Sequence, residues 1–223
     1  MIYFRVPCAG HGTLGAPFSS WKWPLPRLML LAAALFCSSA DAGISANGNV
    51  PIDDKTFGCI SLLTPVRGFF VGNLLGNLKG TLAVAQSSTG GVYPPGSIVQ
   101  LVPTEVMVKQ PQGFNAITRD WEFFSLDVTK DGSKILTRGF AETVNSFGGN
   151  CFGCHIKARA QWDMICETDH GCDPLQITPR IIGAIQRTDP RCKGSQIVSA
   201  DDAAALKELD AVRRAQSGLT GGG

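Results

Sequence analysis

The sequence lacks the motifs that identify most nucleotide-dependent and hydrolytic enzymes. Between residues 68 and 144 it has no glycine-rich phosphate loop, no Walker pattern and no G-x-S-x-G nucleophile elbow. It also lacks an excess of charge of one sign, because 20 Lys and Arg stand against 18 Asp and Glu in 223 residues. This balance gives no indication of a nucleic acid or an anionic membrane as a partner.

The chain has one marked apolar run near its start, residues 28–36, and this run is too short to span a bilayer. It is preceded by three basic residues: Arg5, Lys22 and Arg27. A small-residue pattern of the A-x-A type follows at 38–42. The order predicts a secretory signal peptide over residues 1–42 and export to the periplasm, with a retained membrane anchor as the alternative. Without residues 1–42, Lys plus Arg falls from 20 to 17 and Asp plus Glu from 18 to 17, so the mature chain is near neutral.

A short motif late in the chain carries the strongest chemical signal. Residues 151–155 read CFGCH, the CxxCH signature of covalent c-type haem attachment. On a helix the two cysteines and the histidine share one face, so each thiol can take one vinyl group of a single porphyrin. His155 then reaches the iron from the same side. The motif predicts one haem c, attached through Cys151 and Cys154, with His155 as the metal ligand.

Two other chemistries use similar residues. A thioredoxin-like redox pair normally follows a buried strand in a βαβ unit, and the glycines and asparagine at 147–150 do not fit that pattern. A zinc site would need a fourth ligand, which a cysteine further along the chain could supply. Haem attachment is the interpretation that the motif and the predicted export signal favour together.

The remaining cysteines suggest disulfides. Eight cysteines are present; two lie in the predicted leader and two in the motif. The other four are Cys59, Cys166, Cys172 and Cys192. An even number in an oxidising compartment indicates two disulfides, and four cysteines allow three pairings. We favour Cys166–Cys172, which closes a short loop, together with Cys59–Cys192.

The region before the motif is predicted to be a sheet. Short apolar or aromatic runs alternate with turn residues, with predicted strands at 68–72, 80–85, 97–102, 105–109, 120–128 and 134–140. Pro103 marks a bend, and residues 130–133 a tight turn that makes the last two strands a hairpin. Adjacent short strands with tight turns imply antiparallel pairing.

The region after the motif is predicted to be helical. The face of the motif helix continues through Ala158, Trp162 and Ile165. Thr178 with Pro179 is a typical helix start, and Ser199 opens a last helix. The fold class is therefore α+β: mainly an antiparallel β-sheet, with a haem-bearing helix and further helices at the C-terminal end. A single c-type haem domain is expected over 43–216 and a flexible tail over 217–223.

The order of these elements resembles one known family. The segments PGSIV at 95–99 and DWEFF at 120–124, followed by CFGCH and then WDM at 162–164, resemble the cytochrome P-460 and cytochrome c′-beta family over residues 60–190. The resemblance implies an exported, mainly antiparallel-β protein, often a homodimer, with one c-type haem close to the C-terminus.

The two branches of that family differ in activity. The cytochrome P-460 branch oxidises hydroxylamine and has a lysine cross-linked to the porphyrin. An ungapped match from Gly96 puts Leu101 at that lysine's position, and leucine cannot form the cross-link. Lys109 is the nearest alternative but needs a shift of register. The cytochrome c′-beta branch lacks the lysine and has an apolar distal pocket that admits small gases.

Several residues are candidates for the haem surroundings. Leu101 and Phe123 are expected to contact the cofactor; Phe123 and Phe124 face opposite ways on a strand, so only one can overlook it. Candidate sixth ligands are Met107, Met164 and His170, of which Met164 is expected on the motif helix and His170 in a surface loop. Candidate distal bases are Glu105, Glu122 and Glu142. Candidate propionate partners are Arg138, Lys157 and Arg159.

The sequence therefore predicts a five-coordinate haem c protein that binds nitric oxide or carbon monoxide or serves haem redox chemistry. An electron-transfer cytochrome c, which would work with a redox partner protein, and a hydroxylamine-oxidising enzyme are the alternatives.

Overall fold

The computed structural model describes residues 48–194 and 197–220, and the side chains of 216–220 are not described. Six strands form one antiparallel sheet in which neighbours in sequence are neighbours in space. The strands are β1 Thr64–Val66, β2 Phe69–Asn73, β3 Ser97–Val102, β4 Glu105–Lys109, β5 Trp121–Thr129 and β6 Gly132–Arg138. The helices are α1 Leu78–Ala85, α2 Cys151–His155, α3 Pro179–Arg187 and α4 Ala200–Thr220, with short 3-10 turns at Asp54–Thr56, Ile60–Leu62 and Ala160–Trp162. The predicted α+β class, with an antiparallel sheet and helices at the C-terminal end, is confirmed, and one further helix, α1, lies between β2 and β3.

The two faces of the sheet are both buried but carry different cores. On one face, here called the α2 face, Val71, Val99, Met107 and Phe123 form a row across four strands and pack against Cys151 and Phe152. The opposite face carries residues such as Val108 and Phe124 and is covered by the segment that precedes β1. Because side chains alternate between the two faces along each strand, neighbouring residues of a strand lie in different cores.

One predicted strand is wrong. Residues 80–85 belong to α1, which begins after Asn77, whose side-chain oxygen accepts a hydrogen bond from the N–H of Gly80 at 3.1 Å. The hydroxyl of Thr81 bonds to Ser97 at 2.7 Å and ties the helix to β3. A short apolar run fits a strand or a helix equally well by periodicity, and here the asparagine cap decides.

The motif helix is shorter than predicted. α2 ends at His155, and the chain leaves the helix because the N–H of Arg159 donates to the carbonyl oxygen of His170 at 2.8 Å. Ala158 and Ile165 are buried, as a continuous helical face would have required, but they lie outside any helix. The expectation that Met164 shares a helix with His155 is therefore wrong.

The C-terminal helices pack on each other around Ile181, Ala184 and Leu209. Thr178 caps α3 through the N–H of Ile181 at 3.3 Å, with Pro179 in the first helical position, as predicted. α4 continues to Thr220, so the backbone of 217–220, predicted as tail, is helical. None of the helices in the described part of the chain has the length and apolar character that a membrane crossing requires.

Two disulfides hold the chain outside the sheet. Cys59 is bonded to Cys192 and Cys166 to Cys172, which confirms the favoured pairing. Next to the first bond, the N–H of Ile60 donates to Asp189 at 2.9 Å, and Asp189 pairs with Arg191 at 2.7 Å. The segment before the sheet is thus attached to the residues that follow α3 by a disulfide and by a hydrogen bond to the buried carboxylate of Asp189. The predicted leader, 1–42, lies outside the described residues.

Candidate functional site

Helix α2 begins at a cap that also connects it to the segment after β6. The side-chain oxygen of Asn150 accepts a hydrogen bond from the N–H of Gly153 at 2.7 Å. Its amide nitrogen donates to the carbonyl oxygens of Phe140 and Ala141 at 3.1 and 3.0 Å. Asparagine is a preferred N-cap because its oxygen satisfies a backbone donor that the first turn leaves free. One side chain therefore fixes where the motif starts.

Phe152, between the two cysteines of the motif, docks α2 on the sheet. Its ring lies 6.3 Å from that of Phe123 on β5 and 5.5 Å from that of Phe140, both in edge-to-face contact. Such aromatic pairs add to the free energy gained by burial alone. The contacts of Phe152 therefore fix the position of α2 on the sheet, and with it the positions of Cys151 and Cys154.

The two motif cysteines are the free thiols of the described chain, and each is partly exposed. Burial raises the pKa of Cys151 to about 12, and burial also raises that of Cys154. A thiol–disulfide exchange centre needs the opposite, a thiol whose pKa is lowered so that the thiolate is populated. The pair therefore does not have the electrostatics of a thioredoxin-like site.

His155 is oriented by a backbone carbonyl. Its Nδ1 lies 2.6 Å from the carbonyl oxygen of Met164, which can only accept, so Nδ1 carries the proton. Burial lowers the pKa of the imidazole, which favours the neutral ring. The ring packs against Phe123, with centroids 5.6 Å apart. A neutral imidazole with Nδ1–H bonded to a carbonyl has the lone pair of Nε2 available, the arrangement found at histidine ligands of metals.

The donor set distinguishes between haem and zinc. In the described chain, one group of three ligand-type side chains converges, namely Cys59, Asp189 and Cys192. Two of these are bonded to each other and are not thiolates. Cys166 and Cys172, the candidates for a fourth zinc ligand beside the motif, are also bonded to each other. Two free thiols one helical turn apart and a histidine with free Nε2 fit covalent haem attachment better than four-coordinate zinc.

Leu101 and Phe123 both belong to the α2 face. Phe123 is buried in the core and touches the rings of Phe152 and His155, while Leu101 is partly buried against the same core. Phe124 points to the opposite face, where its ring packs at a tilt against that of Phe57. Of the two neighbouring phenylalanines, Phe123 is the one on the side of the motif.

Each of the three candidate sixth ligands of the iron is buried and packed against other parts of the protein. Met107 and Met164 are 5% and 1% exposed, within the core of the α2 face. His170 is buried, which makes the expected surface loop wrong; it stacks on Trp162 with centroids 3.8 Å apart. Its Nδ1 also lies 2.7 Å from the carbonyl oxygen of Ile165. These contacts hold each side chain within the fold.

Lys109, the alternative cross-linking residue, has a buried partner. Its ammonium lies 2.8 Å from Asp163 and donates to the carbonyl oxygen of Arg119 at 2.6 Å. Burial lowers the pKa of Lys109, opposed by its attraction to Asp163. An amine engaged in this way is not placed to bond to a porphyrin.

The three candidate bases lie in different places. Glu105 is on β4, in line with Met107 on the α2 face, and accepts a hydrogen bond from the N–H of Ser146 at 2.9 Å. Burial raises the pKa of Glu105. Glu122 is on the opposite face and Glu142 is exposed. Glu105 is the candidate that shares a face with the motif.

The candidate propionate partners are engaged within the protein. Arg138 pairs with Glu122, Lys157 pairs with Asp173, and Arg159 donates to the carbonyl oxygen of Asp169. Arg138, Lys157 and the carboxylate of Asp173 are substantially exposed, so at least the Lys157 pair is open to exchange with solvent or another anion.

Sequence reasoning assigned no role to two residues that shape the site, Asn150 and Asp163. Asn150 could have been found, since an asparagine directly before a helix is a standard cap signal. Asp163 bonds to Lys109, 54 positions earlier, and no local pattern marks such a partner.

No protein-family model matches the sequence, and searches of the curated proteins and of the solved structures give no significant match.

Proposed function

We propose that the protein is an exported mono-haem c-type cytochrome, with haem c attached through Cys151 and Cys154 and His155 as the axial ligand. The observation that carries the proposal is the state of the motif. Its two cysteines are free while the other four described cysteines are paired, and its histidine keeps Nε2 available by donating Nδ1–H to Met164. The two disulfides are consistent with an oxidising compartment such as the periplasm.

We further propose that the haem is five-coordinate and binds a small gas, nitric oxide or carbon monoxide. Support comes from the burial of Met107 and Met164 in the core and from the stacking of His170 on Trp162. A ligand from any of the three would require repacking. The apolar residues of the α2 face, including Leu101 and Phe123, suit a site that favours uncharged diatomic ligands over anions.

Hydroxylamine oxidation is the less favoured activity. It requires a lysine at the porphyrin, and the matching position holds Leu101, while the amine of Lys109 is paired with Asp163. Membership of the cytochrome P-460 and cytochrome c′-beta family, a homodimer and a redox partner protein stay predictions.

Visible absorption spectra test the ligation. The mature chain is purified from a bacterial host that assembles c-type cytochromes, and spectra are recorded oxidised and reduced, with and without carbon monoxide. We expect high-spin spectra and a large shift of the Soret band when carbon monoxide is added to the reduced protein. A low-spin spectrum that does not respond to carbon monoxide would instead identify an electron carrier with two strong axial ligands.

Two variants sharpen this result. Met107→Leu keeps the core filled and removes a thioether, so its spectrum should equal that of the wild type if Met107 is not a ligand. Lys109→Met tests the cross-link. If Lys109 is not bonded to the porphyrin, this variant should show no band shift of the kind that the loss of a cross-link causes. A strongly red-shifted reduced Soret band in the wild type, lost in Lys109→Met, would favour the cross-linked enzyme.

A further inference from the structure

The carbonyl that orients His155 lies in an unusual turn. Asp163 and Met164 are consecutive non-glycine residues with positive φ, 47° and 66°. The left-handed conformation is unfavourable for residues with a Cβ, and two in succession persist only where the surroundings hold them. The two carbonyl oxygens of this turn are both used: that of Met164 accepts from His155 Nδ1, and that of Asp163 accepts from Trp121 Nε1 at 2.8 Å.

The surroundings that hold the turn converge on the side chain of Asp163. Its carboxylate oxygens lie 2.9 and 2.8 Å from the Nζ of Lys109, and one of them accepts from the N–H of Tyr93 at 2.9 Å. Lys109 also lies over the ring of Trp121, with Nζ 5.0 Å from its centroid. Lys109, Asp163 and Trp121 are 4%, 2% and 0% exposed. β4 and β5 therefore fix the turn through one buried ion pair and one indole.

We propose that the Lys109–Asp163 pair, with Trp121, is the positioning device for the imidazole of His155. It holds the 163–164 turn in its left-handed conformation, and the turn presents the Met164 carbonyl to Nδ1. The bond fixes the plane of the ring and its tautomer, and increases the electron density at Nε2. This rests on the proposed function only for the effect on iron; the positioning of His155 is a property of the chain itself.

The charges of Lys109 and Asp163 are what restrict the 163–164 turn to one conformation. A buried ion pair contributes little net stability compared with an apolar pair of the same volume, but it strongly disfavours any conformation in which one partner is left alone. The turn cannot relax without separating Asp163 from Lys109 in the interior. A neutral pair of similar shape would keep most of the packing and lose this restriction.

The test compares two ion pairs that are buried to the same degree. The variant Lys109→Gln/Asp163→Asn removes both charges at the turn. The control Asp189→Asn/Arg191→Gln removes a pair of 0% and 3% side-chain exposure, whose side-chain hydrogen bonds to the rest of the described chain are to Ile60, Phe57, Ser133 and Pro103. Trp121→Phe removes the indole N–H donated to the carbonyl oxygen of Asp163 and leaves a smaller aromatic ring in its place.

The first measurement needs no haem. In the mature chain produced without haem attachment, ¹⁵N NMR follows the Nδ1 proton of His155 and its exchange with solvent. We expect at least tenfold faster exchange in Lys109→Gln/Asp163→Asn and in Trp121→Phe, and the wild-type rate in the control. Equal exchange rates in the turn variants and the control overturn the proposal, whether or not the protein binds haem. If the double variant does not fold, Trp121→Phe decides, and a wild-type rate in it refutes the positioning role.

The second measurement uses the haem-loaded protein. Weaker donation from Nδ1 lowers the electron density on the ligand, so the reduction potential should rise and the iron–histidine stretching frequency should fall in the turn variants only. If the Nδ1 proton exchanged faster but the reduction potential and the iron–histidine frequency stayed the same, the proposed effect of the turn on the iron would be contradicted. A colourless wild type would refute the proposed function and leave the exchange result to decide the positioning.

Discussion

The two disulfides should differ strongly in their contribution to stability, although both are single bonds. Cys59–Cys192 closes a loop with a sequence separation of 133, whereas Cys166–Cys172 spans six. In the chain-entropy model a cross-link stabilises by restricting the unfolded chain, by about 5 kcal/mol for the longer loop and about 2 kcal/mol for the shorter one. The expected difference is about 3 kcal/mol.

The native contacts near Cys192 make this estimate applicable. Ile60 donates to Asp189 at 2.9 Å and Arg191 donates to Ser133 at 2.7 Å, and neither hydrogen bond involves a sulfur atom. The folded arrangement should therefore persist in a serine variant, and the loss should arise mainly in the unfolded state.

Urea unfolding followed by circular dichroism measures the difference. Cys59→Ser/Cys192→Ser and Cys166→Ser/Cys172→Ser are compared with the wild type under oxidising conditions, with each free energy of unfolding extrapolated to water. For a chain of this size, 3 kcal/mol corresponds to roughly 6 to 12 °C in Tm. Equal losses, or a larger loss in the short-loop variant, would refute the entropic reasoning.

Three further perturbations test individual residues. Phe123→Leu should shift the Soret band or the reduction potential, whereas Phe124→Leu, equally buried but on the opposite face, should change only stability; identical spectra would contradict the assigned faces. Glu105→Gln should flatten the pH dependence of the free energy of unfolding. Because burial raises the pKa of Glu105 in the folded state, the wild type should lose stability as the pH rises from the ordinary glutamate pKa through the raised one. A denaturation series in which the wild type shows no such loss would disprove this. Asn150→Ala should cost about 1 kcal/mol through the lost cap, and a thermal scan indistinguishable from the wild type would show that the cap is dispensable.

Five of the six strands, all but β1, could be predicted because strong turn signals separate them. β3 and β4 are joined at Pro103, and β5 and β6 at Lys130 and Asp131, where local chemistry alone requires a reversal. The disulfide pairing was likewise limited to a small set of alternatives, and the sequence distances of the cysteines favoured the correct one.

Two of the errors have their physical origin in long-range contacts. A helix continuing from Cys151 to Ile165 agrees with the local pattern, but the chain leaves the helix after His155, where the N–H of Arg159 donates to His170. Further on, Lys109 and Tyr93 hold the carboxylate of Asp163. His170 was expected at the surface because it lies between two cysteines, yet stacking on Trp162 buries it. The motif residues were identifiable from spacing, whereas the residues that orient His155 were not.

The most direct test of the account is the intact mass of the mature protein, purified from a host that attaches haem to CxxCH motifs. We expect the mass of the chain plus one haem, the bare mass in Cys151→Ser/Cys154→Ser, and haem retained in Cys166→Ser/Cys172→Ser. A colourless wild-type protein with the mass of the bare chain would contradict it.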